Sequence, residues 1–462
     1  MLGRSFLALA PVLALVWLPG SAPARGGSPS DDDLRDAVLL QNGDTLRGRV
    51  LERYGEEEVI LYQGTRRKKI PQENVVSMRT VRDNLRTFLA EHIEGLTLEQ
   101  EWSLVGLAVE LQLPALANVQ AWRVLELNPE HEGAHEHLGH KQRSGRYRWP
   151  LDAKQLTREE FDEALRDWND RFVLESEHYV VETNASVRQA TEVAFDLERV
   201  YLDWMDRFGE ELHAGEDVLR SDHKMTFHVF FDRGDKGYKD YYNSKREPHY
   251  DPSTPVSTSM GNPNLAFVYY NMGRGSRPVG LFDVAVQQLM YSTLVLSHQS
   301  GYVPFEVTTR SAHWVELGFG YWLGRQFGGT PGYARHFEFT PEPQTARLAN
   351  LRMTRGPLSS RFVRKEVTNL INLELRQFYV IDKDETSEIY RAKARSFFRF
   401  LMEVDPPVEH NKKVVGSGRV GLIRYLRDVY VTPTSHSTSS FDDGLGGKVE
   451  ELYDAWVKWR ME

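Results

Sequence analysis

Two apolar stretches between Leu281 and Phe327, joined through Gly301 and Pro304, restrict what this chain can become. In the first, LFDVAVQQLMYSTLVL, only Asp283, Gln287 and Gln288 interrupt the apolar run before the closing serine and threonine. A helix that is apolar all round belongs in a core. Asp283 and Gln287 are four apart and share one face of it. The second, SAHWVELGFGYWLGRQF, sets His313 and Glu316 three apart on one side of another helix. A carboxylate among Trp314, Val315, Leu317, Phe319, Tyr321 and Trp322 is costly to bury unpaired. The sequence therefore predicts two packed core helices and a partner facing Glu316, one of the downstream cations Arg361, Arg364, Lys365, Arg391, Lys393 and Arg395 being available for it.

A buried helix followed by W-x-E-x-G, Trp314 to Gly318, resembles the gluzincin (peptidase-MA-like) metallopeptidases, in particular an uncharacterised branch of secreted bacterial proteins. In that family the first helix carries H-E-x-x-H. Its histidines bind zinc, its glutamate activates water, and a glutamate on the second helix is the third ligand. The resemblance puts Glu316 at the third ligand. With Gln288 to Tyr291 set on the Q-L-L-Y run that often follows the motif, Asp283, Val284 and Gln287 fall where His, Glu and His belong. Asp283 and Gln287 offer only oxygen, which together with Glu316 suits a hard cation better than zinc. Val284 can neither take a proton from water nor give one to a leaving amine, and such help is worth roughly 10²- to 10⁴-fold.

The resemblance thus implies a peptidase fold with a degenerate motif, no catalytic residue and no cofactor. Asp283, Gln287, His313, Glu316 and Tyr269 would line a binding cleft. Tyr269 belongs to the strand NLAFVYYN, residues 264–271. In peptidases of this fold the strand before the active helix holds an extended substrate by added-strand pairing, and residues 264–271 are placed to do the same. The competing expectation is that the loop DPSTPVSTSMGNPN covers that strand.

A literal H-E-x-x-H stands elsewhere, at His131-Glu132-Gly133-Ala134-His135. It opens a short polar helix after Pro129, with a glycine in its middle that weakens a helix by up to about 1 kcal/mol. The longer H-E-x-x-H-x-x-G-x-x-H signature fails, because Gly139 and His140 are displaced from its positions. The simplest expectation is a solvated, histidine-rich helix start. Zinc on His131 and His135, with Glu316 as a further candidate ligand, is the alternative, and His137 and His140 add adventitious donors. A second alternative ligand set is His298, His313 and Glu316.

The chain's start, MLGRSFLALAPVLALVWLPGSAPA, combines Arg4, an apolar run from Phe6 to Leu18, a Pro19-Gly20 break and small residues at Ala22 and Ala24. That is the pattern of a signal peptide, residues 1–24, and the run is shorter than the roughly 20 residues needed to span a bilayer. Export to the periplasm or beyond is expected, with no transmembrane segment after signal removal. A disordered linker follows over 25–35. The strand pattern of residues 36–81 predicts five short strands, which resemble a small SH3-like or Sm-like β-barrel. Its basic run Arg66, Arg67, Lys68, Lys69 reads either as a solvated edge that discourages aggregation or as a contact for an anionic surface. Residues 82–150 read as helical and resemble a single TPR-like hairpin. Ser186-Val187-Arg188-Gln189 is a capping box that opens a long helix with Val187, Ala190, Ala194, Leu197, Tyr201, Met205 and Phe208 on one face. The order strand, helix, strand, helix, strand and paired helices over 151–330 matches a gluzincin-like α/β half, and 331–462 a helical half.

The fold class expected is therefore α+β and multidomain. With 57 basic against 66 acidic residues, net −9, nothing favours nucleic acid as partner. The absence of cysteine removes disulfides and thiolate chemistry. The function this implies is an exported pseudopeptidase that binds a peptide or protein partner of the cell envelope. The alternatives are an active zinc peptidase with a non-standard ligand set, and a structural envelope protein.

Overall fold

The computed structural model describes residues 36–51, 57–63, 66–93, 95–209, 224–231, 265–270, 280–297, 313–327, 393–410 and 413–430, with isolated positions at 212, 219, 277, 278, 452, 455, 456, 458 and 459. The expected signal peptide 1–24, the linker 25–35, the short helix after Asp232, the loop 251–264 and the loop from Thr432 to Ser440 lie outside these residues.

Five strands open the described chain: β1 (Asp36–Leu40), β2 (Thr45–Leu51), β3 (Glu58–Gln63), β4 (Arg66–Pro71) and β5 (Val75–Arg79). They form one antiparallel sheet in the order β4-β3-β2-β1-β5, with a 3-10 turn at Gln72–Asn74 returning the chain so that β5 pairs with β1. Alternation sends Val38, Val50, Val59, Leu61 and Ile70 to one face, where they make a small core of their own. Asn42 and Asp44 fix the first turn through side-chain hydrogen bonds, and Gly43 takes a φ of 86° there.

Helices follow: α1 (Val81–Glu91), α2 (Leu98–Glu110), α3 (Pro114–Leu127) and the short α4 (Glu132–His137). Thr80 with Asp83 and Thr97 with Gln100 form capping boxes at the first two, and Pro114 opens the third. The last begins at Glu132 with His131 as its cap, shortly after Pro129. Two small hairpins, β6 (Gln142–Arg143) with β7 (Arg146–Tyr147) and β8 (Trp149–Leu151) with β9 (Lys154–Leu156), and the helix α5 (Arg158–Ala164) were not foreseen.

The second main sheet contains β10 (Phe172–Glu175), β11 (Tyr179–Thr183), β12 (Met225–Phe230) and β13 (Leu265–Tyr269), in that spatial order. β10 and β11 form an antiparallel hairpin, where a single strand was expected, and β11, β12 and β13 run parallel. The crossover helix α6 (Val187–Trp204) starts at the Ser186–Gln189 capping box and continues through a π turn to Gly209. Phe172, Leu174, Tyr179, Val181, Phe227, Val229, Ala266 and Val268 point from the sheet into one continuous core. That core also takes in α1 to α3, the apolar face of α6, and the two apolar helices α7 (Leu281–Ser297) and α8 (His313–Phe327). A helix over 393–399 and α9 (Gly418–Tyr430) complete it, with the hairpin β14 (Pro407–His410) and β15 (Lys413–Ser417) between them in the chain. The chain is thus a mixed α+β, multidomain-like protein, with separate large and small hydrophobic cores among the described residues.

Candidate functional site

Neither Gly nor Pro interrupts Leu281–Ser297, and over 281–290 α7 is buried almost all round, with Gln287 half-buried. It packs on α8 through a close approach. A side chain at Gly320 would come within 2.5 Å of Asp283 Oδ1 and 2.7 Å of its Cα, so the backbones meet there because Gly320 has none. Glu316 lies one turn before Gly320 and shares its face. The α8 face bearing Glu316 is therefore set against the α7 face bearing Asp283 and Gln287. Asp283 (7% exposed) and Glu316 (5%) are both buried, and neither carboxylate is without a partner. Val284, 1% exposed, belongs to the hydrophobic core. Tyr269, buried, ends β13 opposite Phe230, and β13 packs against α7. The side chain of His313 and the whole of His298 lie outside the described residues.

On its other side α8 meets the helix over 393–399, where a side chain at Gly318 would collide with Phe398 and the Ala394 carbonyl. Trp314, fully buried, donates from Nε1 to the Tyr425 hydroxyl of α9 at 3.2 Å, and burial raises that phenol's pKa. Of the cations suggested as partners for Glu316, Arg395 lies with its guanidinium 4.7 Å over the Tyr321 ring and makes no ion pair among the described residues. Lys393 is buried and engaged. Arg361, Arg364, Lys365 and Arg391 lie outside the described residues.

The donor set does not fit the zinc that the gluzincin resemblance would bring. Asp283, Gln287 and Glu316 present oxygens alone, and Val284 has no donor atom. The histidine motif is no better suited. His131 Nδ1 accepts from the Ala134 N–H at 3.2 Å, as a helix cap. His135 faces the Pro129 carbonyl with Nε2 at 2.8 Å and His140 Nδ1 with its own Nδ1 at 2.7 Å. Its ring is fully buried and stacked on Tyr147 at 4.3 Å, so the solvated helix start expected here is instead a packed junction. Burial, and then His135 beside it, take His140 down to about 4. Gly133, which looked like a weakness, makes room for Trp102: a side chain there would lie 2.8 Å from its ring.

Two buried polar clusters and one half-buried one had no motif to announce them. Glu198, fully buried on the apolar side of α6, accepts from Ser176 Oγ at 2.6 Å, the His178 N–H at 2.8 Å and His178 Nδ1 at 2.7 Å. These charge-assisted contacts outweigh burial and hold its pKa below the usual carboxylate range. Glu177, between them, accepts from the N–H groups of Ala115 and Leu116 at the start of α3 and so ties the helices to the sheet. Asp196, 1% exposed, is held by Arg277 and Arg199, and Arg199 donates on to His92. Glu182 on β11 lies 3.2 Å from His228 and also takes Arg171. The hydrogen bond from His228 and then that from Arg171 bring it down to about 2. The only trace of these clusters in the sequence is an acid set where an amphipathic helix or alternating strand calls for an apolar residue, as at Asp196 and Glu198.

Among the described residues no group of three or more His, Asp or Glu is placed to hold a metal ion, and no helix is long and apolar enough to cross a membrane. No known protein family model matches the chain, and no curated protein matches it.

Proposed function

We propose that this is an exported protein with the fold of a gluzincin-type peptidase and without its hydrolysis, which binds a peptide or protein partner of the cell envelope. On this reading the first five strands are a small barrel of SH3 or Sm type, the helices after them a TPR-like spacer, and the parallel sheet with α7 and α8 the zincin-like half. One observation supports it above the others. Gly320 seats α8 directly on Asp283, which sets the helix face of Asp283 and Gln287 against that of Glu316, and the position where an active relative would carry its base is Val284, buried in the core. An aliphatic group at the base position leaves water unactivated.

The test is metal content after purification without a histidine tag, paired with a generic protease assay and with retention of peptides from a casein digest on the immobilised protein. The expected result is no stoichiometric zinc, no hydrolysis, and peptide retention that Gln287→Arg diminishes. Stoichiometric zinc that is lost in Glu316→Ala, or hydrolysis that is lost with it, would overturn the reading.

A further inference from the structure

The first sheet carries its charge on one side. Residues facing its core are fixed by Val38, Val50, Val59, Leu61 and Ile70, so alternation and register send Arg47, Arg49, Arg67, Lys69 and Arg79 to the opposite face. They stand in lateral rows. Arg49, Tyr62 and Arg67 are paired across β2, β3 and β4, and Arg47, Ala37 and Arg79 across β2, β1 and β5. Glu58 is the acid that alternation adds to this face, and it is taken by Lys69 at 2.6 Å.

Two comparisons within the molecule bear on this face. Several arginines elsewhere have carboxylate partners, Arg123 with Glu101, Arg158 with Glu126 and Asp162, Arg171 with Glu182, Arg207 with Asp203, and Arg399 with Glu403, while scattered ones such as Arg166 and Arg395 have none among the described residues. Arg47, Arg49 and Arg67 have none among the described residues, in a chain whose acids outnumber its bases. Protection of a sheet edge accounts for cations on β4, but β2 is an interior strand and needs no such protection.

We infer that this face docks on an anionic lipid surface. Within each row the cations stand two strands apart, about 10 Å, and along β2 and β4 they are about 7 Å apart, a spread over one sheet face that suits many headgroups at once and not a groove. A single-stranded nucleic acid calls for open aromatic faces on which bases stack. The one aromatic ring on this face, Tyr62, is covered by Arg49 at 5.1 Å. The attraction is electrostatic, so salt weakens it.

The test is co-sedimentation of the full chain with vesicles of equimolar phosphatidylglycerol and phosphatidylcholine, and with phosphatidylcholine alone, at low and high salt. Two variants carry the same change in net charge: R47E/R67E on the face, and R166E/R188E, both exposed positions away from it. Circular dichroism checks that both fold. Binding to the anionic vesicles alone, lost at high salt, weakened at least roughly thirty-fold in R47E/R67E and kept in R166E/R188E, is the expected result. Absence of binding, equal loss in both variants, or tighter binding to polyuridylate or polyglutamate than to the vesicles would each overturn it. Because neither substitution touches α7 or α8, this outcome is independent of the peptide-binding reading.

Discussion

His92 shows how one side chain ties stability to pH. Arg199 can only donate, so His92 Nδ1, 2.9 Å from Arg199 Nη2, must accept, and the ring is neutral. Protonation would cost that hydrogen bond and place a cation beside Arg199 and Arg123 in a buried site against Phe195. Burial first, then these two arginines, push its pKa from 6.5 down to about 3. The sign follows from linkage. Between those two values the unfolded chain binds a proton that the folded chain refuses, so stability is complete above 6.5 and falls as pH falls toward 3. While the window lasts the loss from this group is about 1.4 kcal/mol per pH unit. His140 adds a loss of the same sign down to about 4, and Glu182 adds one that begins below 4.5 and ends near 2. His92→Gln keeps an acceptor for Arg199 and removes the proton site. Urea unfolding across the window should therefore show a shallower pH dependence in this variant than in the parent. Parallel curves would show that His92 is not the group responsible.

At the scale of elements, the two glycines of α8 do what no propensity would ask of them. Gly318 and Gly320 point to different sides of the helix, one against Phe398 and the Ala394 carbonyl, the other against the backbone of Asp283. Each lets a neighbour approach at a distance that a methyl group forbids. On an exposed helix Gly→Ala would stabilise. Here Gly320→Ala must push α7 and α8 apart, and a cost of about 1 to 3 kcal/mol is expected from overpacking. The check is thermal unfolding of Gly320→Ala beside Gly106→Ala, since Gly106 on α2 has open space around it and should gain slightly. A stabilised Gly320→Ala would mean that the two helices do not meet as described. The same elements show what the sequence makes legible. Apolar runs, capping boxes and strand alternation located α6, α7, α8 and the first five strands, because those signals are local. The β10–β11 hairpin, the pairs β8–β9 and β14–β15, and the role of Ser176, Glu177 and His178 escaped, because each is decided by a partner distant in sequence: Glu177 by the start of α3, Ser176 and His178 by Glu198. Asp283, Gln287 and Glu316 were legible as polar groups on core helices, but the contact that unites their faces depends on a glycine whose meaning only packing reveals.

For the molecule as a whole, the decisive feature is that the large and small cores among the described residues are unequal. The large one runs from Leu85 on α1 to Trp456, so the helices after the first sheet are continuous with the parallel sheet and with α7 and α8. The small one, five buried side chains within the first sheet, is the kind of core that holds a unit of this size only marginally. Asp36 joins the two. One of its carboxylate oxygens accepts from the Val50 N–H at 2.7 Å and the other from the Val81 N–H at 2.7 Å, so a single buried side chain closes β1 on β2 and fastens the first turn of α1 to the sheet. Asp36→Ala leaves both N–H groups without this acceptor, at about 1 to 3 kcal/mol for each that stays buried. That loss should fall on the smaller unit. Hydrogen exchange followed by mass spectrometry is expected to show faster exchange over β1 to β5, by roughly tenfold for each 1.4 kcal/mol lost, with α2, α3 and α6 unchanged. Equal acceleration everywhere would mean that the sheet and the rest unfold as one. If exchange is confined to the sheet, the basic face is carried on a unit that can loosen without disturbing the α7–α8 contact, and the two proposed binding faces can be tested separately by mutation.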